Sequence, residues 1–311
     1  MENIELGHIM IAIIEKIAEV NALVGEGPVW DSGENLLVWT DIRTGRLFQY
    51  DPKTDQNLQI HDGFNVGGLA FNKYGGLVTC IWDGILLWNS DENWVRIADE
   101  TINGDLLRFN DIIADPGGRI FAGSLLDDGL GKLYRLDPGG SLQVVEEGIG
   151  CSNGMGYSPD ETIMYHTDSA ARTIYAYDYD ISNGSISNRR DFVKLPSTAG
   201  VPDGMTVDAD GFVWTAVWFD GCIIRFDPEG VEERRITLPA KQTSSVMFGG
   251  PELTDLYITT AAISVEPGSS LDPQNYNWDA YNESYRGGGL FRVRQDIQGK
   301  PEYKACFPWP D

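Results

Sequence analysis

Four oxygen-bearing side chains fall at corresponding places in a recurring stretch of this chain. Glu26 precedes Gly27-Pro28-Val29-Trp30, Asn110 precedes Asp111-Ile112, Asn153 precedes Gly154-Met155, and Asp203 precedes Gly204-Met205. Two carboxylates and two amide carbonyls are hard donors, suited to Ca²⁺, Mg²⁺ or Mn²⁺ more than to a structural zinc. Around Asp203, Pro202 fixes its own φ and holds Val201 extended, while Gly204 lets backbone approach closely whatever the carboxylate grips. Taken one at a time, such Asp-Gly and Asn-Gly pairs read as turn residues. The turn of each repeat is already supplied downstream, by Asp31-Ser32-Gly33, Asp115-Pro116-Gly117-Gly118, Ser158-Pro159-Asp160 and Asp208-Ala209-Asp210-Gly211. The earlier residues are therefore free for another task.

The elements that must position them follow from the repeat. Segments 27–52, 68–89, 110–138, 153–179, 203–228 and 245–293 share one pattern: a strand, an Asp/Gly/Asn turn, a second strand, and a third that ends in an aromatic residue and a turn. Their starts lie roughly 40 to 50 residues apart, the period of a four-stranded propeller blade. The strands are short, β-branched and aromatic, as in Phe212-Val213-Trp214-Thr215-Ala216-Val217-Trp218, with Gly, Asp and Pro at their bounds. The expected fold is all-β, a single six-bladed β-propeller over residues 1–311. Such a ring must close, and residues 14–20 alternate enough to add a strand to the last blade. Residues 1–8 would then be an N-terminal tail. Residues 264–286, rich in Pro, Gly, Asn and Ser, interrupt the last repeat and are expected as a long surface loop near one rim, placed to help cover a site. In a propeller the innermost strands begin near one end of the axis, so equivalent positions of successive blades form a ring about one spot. That geometry gathers Glu26, Asn110, Asn153 and Asp203.

Composition narrows the partners. The chain of 311 residues carries 23 Lys plus Arg against 47 Asp plus Glu, a formal charge of −24. Such a surface repels nucleic acid and anionic membranes and concentrates cations where carboxylates converge. Cys80, Cys151, Cys222 and Cys306 are scattered, without a C-x-x-C pair, and are expected as reduced thiols. The apolar run 9–14 is too short to span a bilayer and follows Glu2 and Glu5 in place of a basic segment, so a soluble, cytoplasmic chain is expected. His8, His61 and His166 stand alone, without H-x-H or H-E-x-x-H spacing, which argues against a histidine-based zinc site. His166 lies in a strand and is expected as a packed residue. No G-x-S-x-G elbow supports a serine hydrolase.

Several motifs resemble the regucalcin/gluconolactonase (senescence marker protein) family. They are Gly25-Glu26-Gly27-Pro28-Val29-Trp30, Arg108-Phe109-Asn110-Asp111 with Phe121-Ala122-Gly123, Ser152-Asn153-Gly154-Met155 and Pro202-Asp203-Gly204-Met205. Lys241-Gln242-Thr243-Ser244, Phe248-Gly249-Gly250 and Gly289-Leu290-Phe291-Arg292 match that family's final blade. The resemblance runs from about residue 14 to 293, with the motifs in family order. It implies a six-bladed propeller and a metal-dependent sugar lactonase. By resemblance, Glu26, Asn153 and Asp203 are ligands of one divalent cation (Ca, Mg, Mn, Zn or Fe(II)), and Asp203 is also the general base. Arg108 and Asn110 match positions that contact substrate or complete the metal's surroundings. Asp128 stands where some relatives carry a Glu that touches the sugar, with a shorter side chain here. The second repeat brings Trp82 near the same face, to stack on a sugar ring or to pack at the rim.

The expected reaction is hydrolysis of an aldono lactone to the aldonic acid. The cation acts as Lewis acid, Asp203 or a cation-bound hydroxide activates water, and Arg108 holds ring hydroxyls or the developing carboxylate. Two alternatives share the scaffold: a hydrolase of other lactones or phosphoesters, and a calcium-binding propeller without turnover. Because the sequence shows no Lys/Arg cluster beside Arg108, it disfavours multiply charged phosphates. The expected partner is a small sugar lactone, with nothing in the sequence to fix the oligomeric state.

Overall fold

The computed structural model describes residues 13–99, 108–125 and 131–310. The tail expected at residues 1–8 lies outside them. Among the described residues the strands form six antiparallel sheets of four. Their first strands are Gly25–Asp31, Val66–Phe71, Phe109–Ala114, Ser152–Tyr157, Val201–Val207 and Thr243–Gly249. Each first strand contacts its neighbours in a closed cycle, the sixth meeting the first, so the sheets are blades around one axis. The molecule is a six-bladed β-propeller.

Side-chain pattern explains which strand goes where. The axial strand Val201–Val207 is buried at every position, whereas the outermost strand of the preceding blade, Ser185–Lys194, is polar and mostly exposed. Apolar clusters fill the wedges between blades; Trp214 of blade five, for example, meets Phe248 of blade six edge-on at 5.6 Å. The ring closes as the sequence suggests: Ile14–Glu19 pairs antiparallel with Gly289–Arg294, from Ile14 opposite Val293 to Glu19 opposite Gly289. The first and last strands of the described chain are thereby tied together in the last blade, with Ile14–Glu19 as its outermost strand.

Two segments cover the two ends of the axis. Opposite the starts of the axial strands, residues 295–310 cross the turns between first and second strands of all six blades. Gly299 N donates to Leu253 O (2.7 Å), Ala209 N to Gln298 O (2.9 Å), Ala305 N to Phe71 O (2.8 Å) and Cys306 N to Gly118 O (2.8 Å). Tyr303 Oη donates to Glu161 (2.8 Å) and Lys304 Nζ to Asp31 (3.1 Å). No repeat signal marked this strap in the sequence. At the other end, residues 264–286 run between Asp255–Thr260 and Gly289–Arg294 and include a six-residue helix, Trp278–Glu283, capped by Asn277 Oδ1 accepting from Ala280 N. No helix among the described residues is long and apolar enough to cross a membrane.

Candidate functional site

The axial strands share one irregularity at their starts. Pairing with the second strand slips between Glu26 and Val29, Phe109 and Ile112, Ser152 and Met155, and Pro202 and Met205. A β-bulge of this kind places two residues opposite one and re-aims a side chain. The bulged residues are Gly27-Pro28, Asn110-Asp111, Asn153-Gly154 and Asp203-Gly204. Glycine follows the polar residue in two of them because the neighbouring blade is already there. A Cβ on Gly154 would lie 2.3 Å from Met205 N, and one on Gly204 would lie 2.0 Å from Ser245 Oγ. The chemistry thus comes from a repeated backbone defect, not from regular strand.

Glu26, Arg108, Asn110, Asn153 and Asp203 line a single cavity of ≈ 270 Å³ at this end of the axis. Glu26, Asn153 and Asp203 are each less than a tenth exposed. Burial, then the Asp203 charge, then the Asp111 charge push the Glu26 carboxyl well above its ordinary range; it accepts a hydrogen bond from Gly27 N. Burial and the Asp111 charge do the same to Asp203, whose carboxylate receives no hydrogen bond from the described residues. Two buried carboxylates facing one void raise each other's cost of ionisation, and a divalent ion between them would relieve it.

Hydrogen bonds fix the orientation of the Asn153 amide. Ser169 Oγ donates to Pro202 O (2.7 Å), so it must accept from Asn153 Nδ2 (2.9 Å), which turns Asn153 Oδ1 the other way. Asn110 Nδ2 donates to Ser152 O (2.8 Å) and to Asn153 Oδ1 (3.1 Å), leaving its own carbonyl oxygen without a partner among the described residues. Blades three, four and five are joined by this chain. Asp168 braces it from below: its Oδ1 accepts from Cys151 N (3.0 Å) and its Oδ2 from Gly150 N (2.9 Å). Asp41 does the same in blade one, accepting from Leu23 N (3.1 Å) and Val24 N (3.0 Å) just before Glu26. Both carboxylates lie 15 residues after the donor they support, a spacing readable in the sequence but passed over.

Among the described residues no three His, Cys, Asp or Glu side chains are grouped to hold a metal ion. The donor set here is two carboxylates completed by an amide oxygen, all oxygen and hence hard. Asp111, beside Asn110 in the same bulge, faces a smaller void of ≈ 50 Å³ deeper along the axis, and burial pushes its carboxyl up to about 7. Trp82 is half exposed beside the cavity and not in its wall; the Arg108 guanidinium sits 4.8 Å over its ring. That face of the ring is taken by Arg108. Asp128 lies outside the described residues. Among the described residues two arginines, Arg43 and Arg108, line the cavity. His166 is fully buried against Ser152 Oγ (2.7 Å) and burial lowers it to about 4, so it is neutral packing.

A six-bladed propeller with buried oxygen donors at one mouth of its axis defines a class of axial-site proteins. Within it, residues 24–262 match the SMP-30/Gluconolactonase/LRE-like region, and the chain belongs to that family. It is 38% identical over 296 residues to pentonolactonase XacC of Haloferax volcanii, covering 94% of this chain and 98% of that protein. With regucalcin of Oryctolagus cuniculus it shares 32% identity over 302 residues, covering 93% and 97%. A solved luciferin-regenerating enzyme superposes with a TM-score of 0.84 at 28% identity, over 95% of this chain and 99% of that one.

Proposed function

We propose that this chain is a divalent-cation-dependent lactonase that hydrolyses a sugar (aldono) lactone to its aldonic acid. One observation carries the reading: Glu26 of blade one and Asp203 of blade five are buried, with no ion pair to either among the described residues, and face one cavity with Asn153. The lactonase name of the relative from Haloferax volcanii, and membership in a family whose name includes gluconolactonase, point to the same chemistry.

Glu26, Asn153 and Asp203 would hold the cation. When bound there, a divalent ion supplies a Lewis acid for the lactone carbonyl and positive charge against the oxyanion that develops. Asp203, which receives no hydrogen bond from the described residues, takes a proton from the attacking water as the new C–O bond forms. It returns that proton to the ring oxygen as the ring C–O bond breaks. Arg108, steadied over Trp82, offers planar donors to the sugar hydroxyls or to the product carboxylate. Asn110 keeps an amide oxygen for a sugar hydroxyl, because its nitrogen is committed to Ser152 and Asn153.

The test is proton release from five- and six-carbon aldono lactones with and without a chelator, after subtracting spontaneous opening. Chelator-sensitive release above background is the expected result. Cation binding with no release would establish a non-catalytic propeller instead.

A further inference from the structure

One arginine outside the donor set is built in an unusual way. Arg172, in the turn that also holds Ser169, has φ 54°, a left-handed conformation that Asn or Gly adopts more easily than Arg. Its side chain is buried, and no carboxylate lies within ion-pair distance of it among the described residues. Instead the guanidinium spans four backbone carbonyls. One nitrogen donates to Ala199 O (2.6 Å) and Gly200 O (2.9 Å), the other to Leu271 O (2.8 Å) and Asp272 O (2.8 Å). The first pair belongs to the segment that leads into Asp203; the second belongs to the loop 264–286. Charge-assisted bonds to otherwise unpaired carbonyls in a low-dielectric setting are strong.

The loop so held forms the outer wall of the cavity, with Val265, Ser269 and Leu271 in the lining. Further bonds fix it alongside: Gln274 N to Ser197 O (2.8 Å) and Tyr276 Oη to Phe219 O (2.7 Å). What remains, ≈ 270 Å³, is smaller than pockets that take drug-sized ligands, roughly 300–1,000 Å³. It suits one small ring with a short side chain.

We propose that Arg172 is a specificity-determining positioning residue: by clamping 264–286 to the segment before Asp203, it fixes the outer wall of the cavity and thereby which size of aldono lactone the site prefers. This inference rests on the lactonase reading above. Arg172 touches no reacting atom; it acts through the position of Val265 and Leu271. A fixed wall carrying Val265 and Leu271 can discriminate between lactones that differ by one hydroxymethyl group, whereas a loosened wall accommodates both.

The experiment compares the parent protein with Arg172→Asn, which suits the left-handed backbone, and Arg172→Met, which keeps length without donors. Both lactones are assayed at saturating cation, together with limited proteolysis of 264–286. The expected result is faster cleavage of the loop, a KM for the parent's preferred lactone raised about tenfold with kcat within about twofold, and the parent's preference between the two lactones narrowed at least about fivefold. The midpoint of cation binding should not move. A variant whose loop is cleaved faster but whose preference equals the parent's would overturn the proposal, as would an equal loss of kcat on both substrates. Failure of the parent protein to hydrolyse either lactone would sink the lactonase reading itself, a different result from an unchanged preference.

Discussion

Asn153 Nδ2 donates to Ser169 Oγ over 2.9 Å, and that bond decides which atom Asn153 shows to the axis. Ser169 can only accept there, since its proton goes to Pro202 O. Ser169→Ala removes the shortest of the bonds that orient the amide, another coming from Asn110 Nδ2 at 3.1 Å, while leaving every candidate ligand in place. Outer partners of ligands are commonly worth 10–100-fold in metal affinity, so a loss of about tenfold is predicted, measured by calorimetric titration with Mn²⁺ or Ca²⁺. Unchanged affinity would mean the amide is oriented by something else.

The three axial carboxyls also set a pH dependence. Glu26, Asp203 and Asp111 all hold their protons more tightly folded than unfolded. Between the ordinary carboxylate range near about 4 and the raised values, the folded state therefore binds more protons, and stability declines as pH rises. For Asp111 the decline extends through about 7. Chelator-treated protein should lose Tm between pH 5 and pH 8 by thermal scan, and saturating cation should raise Tm more at pH 8 than at pH 5. Asp111→Asn should flatten the chelator-treated profile.

Gly154→Ala tests the bulge. The added methyl would collide with Met205 N at 2.3 Å and Asp203 O at 2.7 Å, backbone atoms that cannot swing away. A loss of about 1–3 kcal/mol in urea unfolding is predicted, the usual cost of overpacking, together with loss of cation binding as Asn153 and Asp203 are pushed apart.

Asp203→Asn keeps shape and removes the proposed base. At saturating cation, kcat should fall by about 100-fold or more while the circular dichroism spectrum stays that of the parent. A variant with parental kcat would remove Asp203 from the proton transfer.

Much of this architecture was legible because the repeats announce it. Glu26, Asn153 and Asp203 each stand at the start of an axial strand, and the closing strand Ile14–Glu19 reads as a strand on its own pattern. What escaped depends on contacts between distant segments. Asp111 was overlooked because strand alternation puts neighbours on opposite faces, whereas the bulge in blade three lets Asn110 and Asp111 face the voids along the axis together. Arg172 was overlooked because its partners are backbone carbonyls, which carry no residue signature. The strap of residues 295–310 escaped because it belongs to no repeat and takes its hydrogen bonds from six separate turns.

The most direct measurement is the stoichiometry and affinity of cation binding, by Mn²⁺ electron paramagnetic resonance, in the parent and in Glu26→Gln, Asn153→Ala and Asp203→Asn. The account predicts one tight site per chain in the parent and at least about tenfold weaker binding in every variant. A parent without a tight site, or any variant of the three that binds as the parent does, would contradict it.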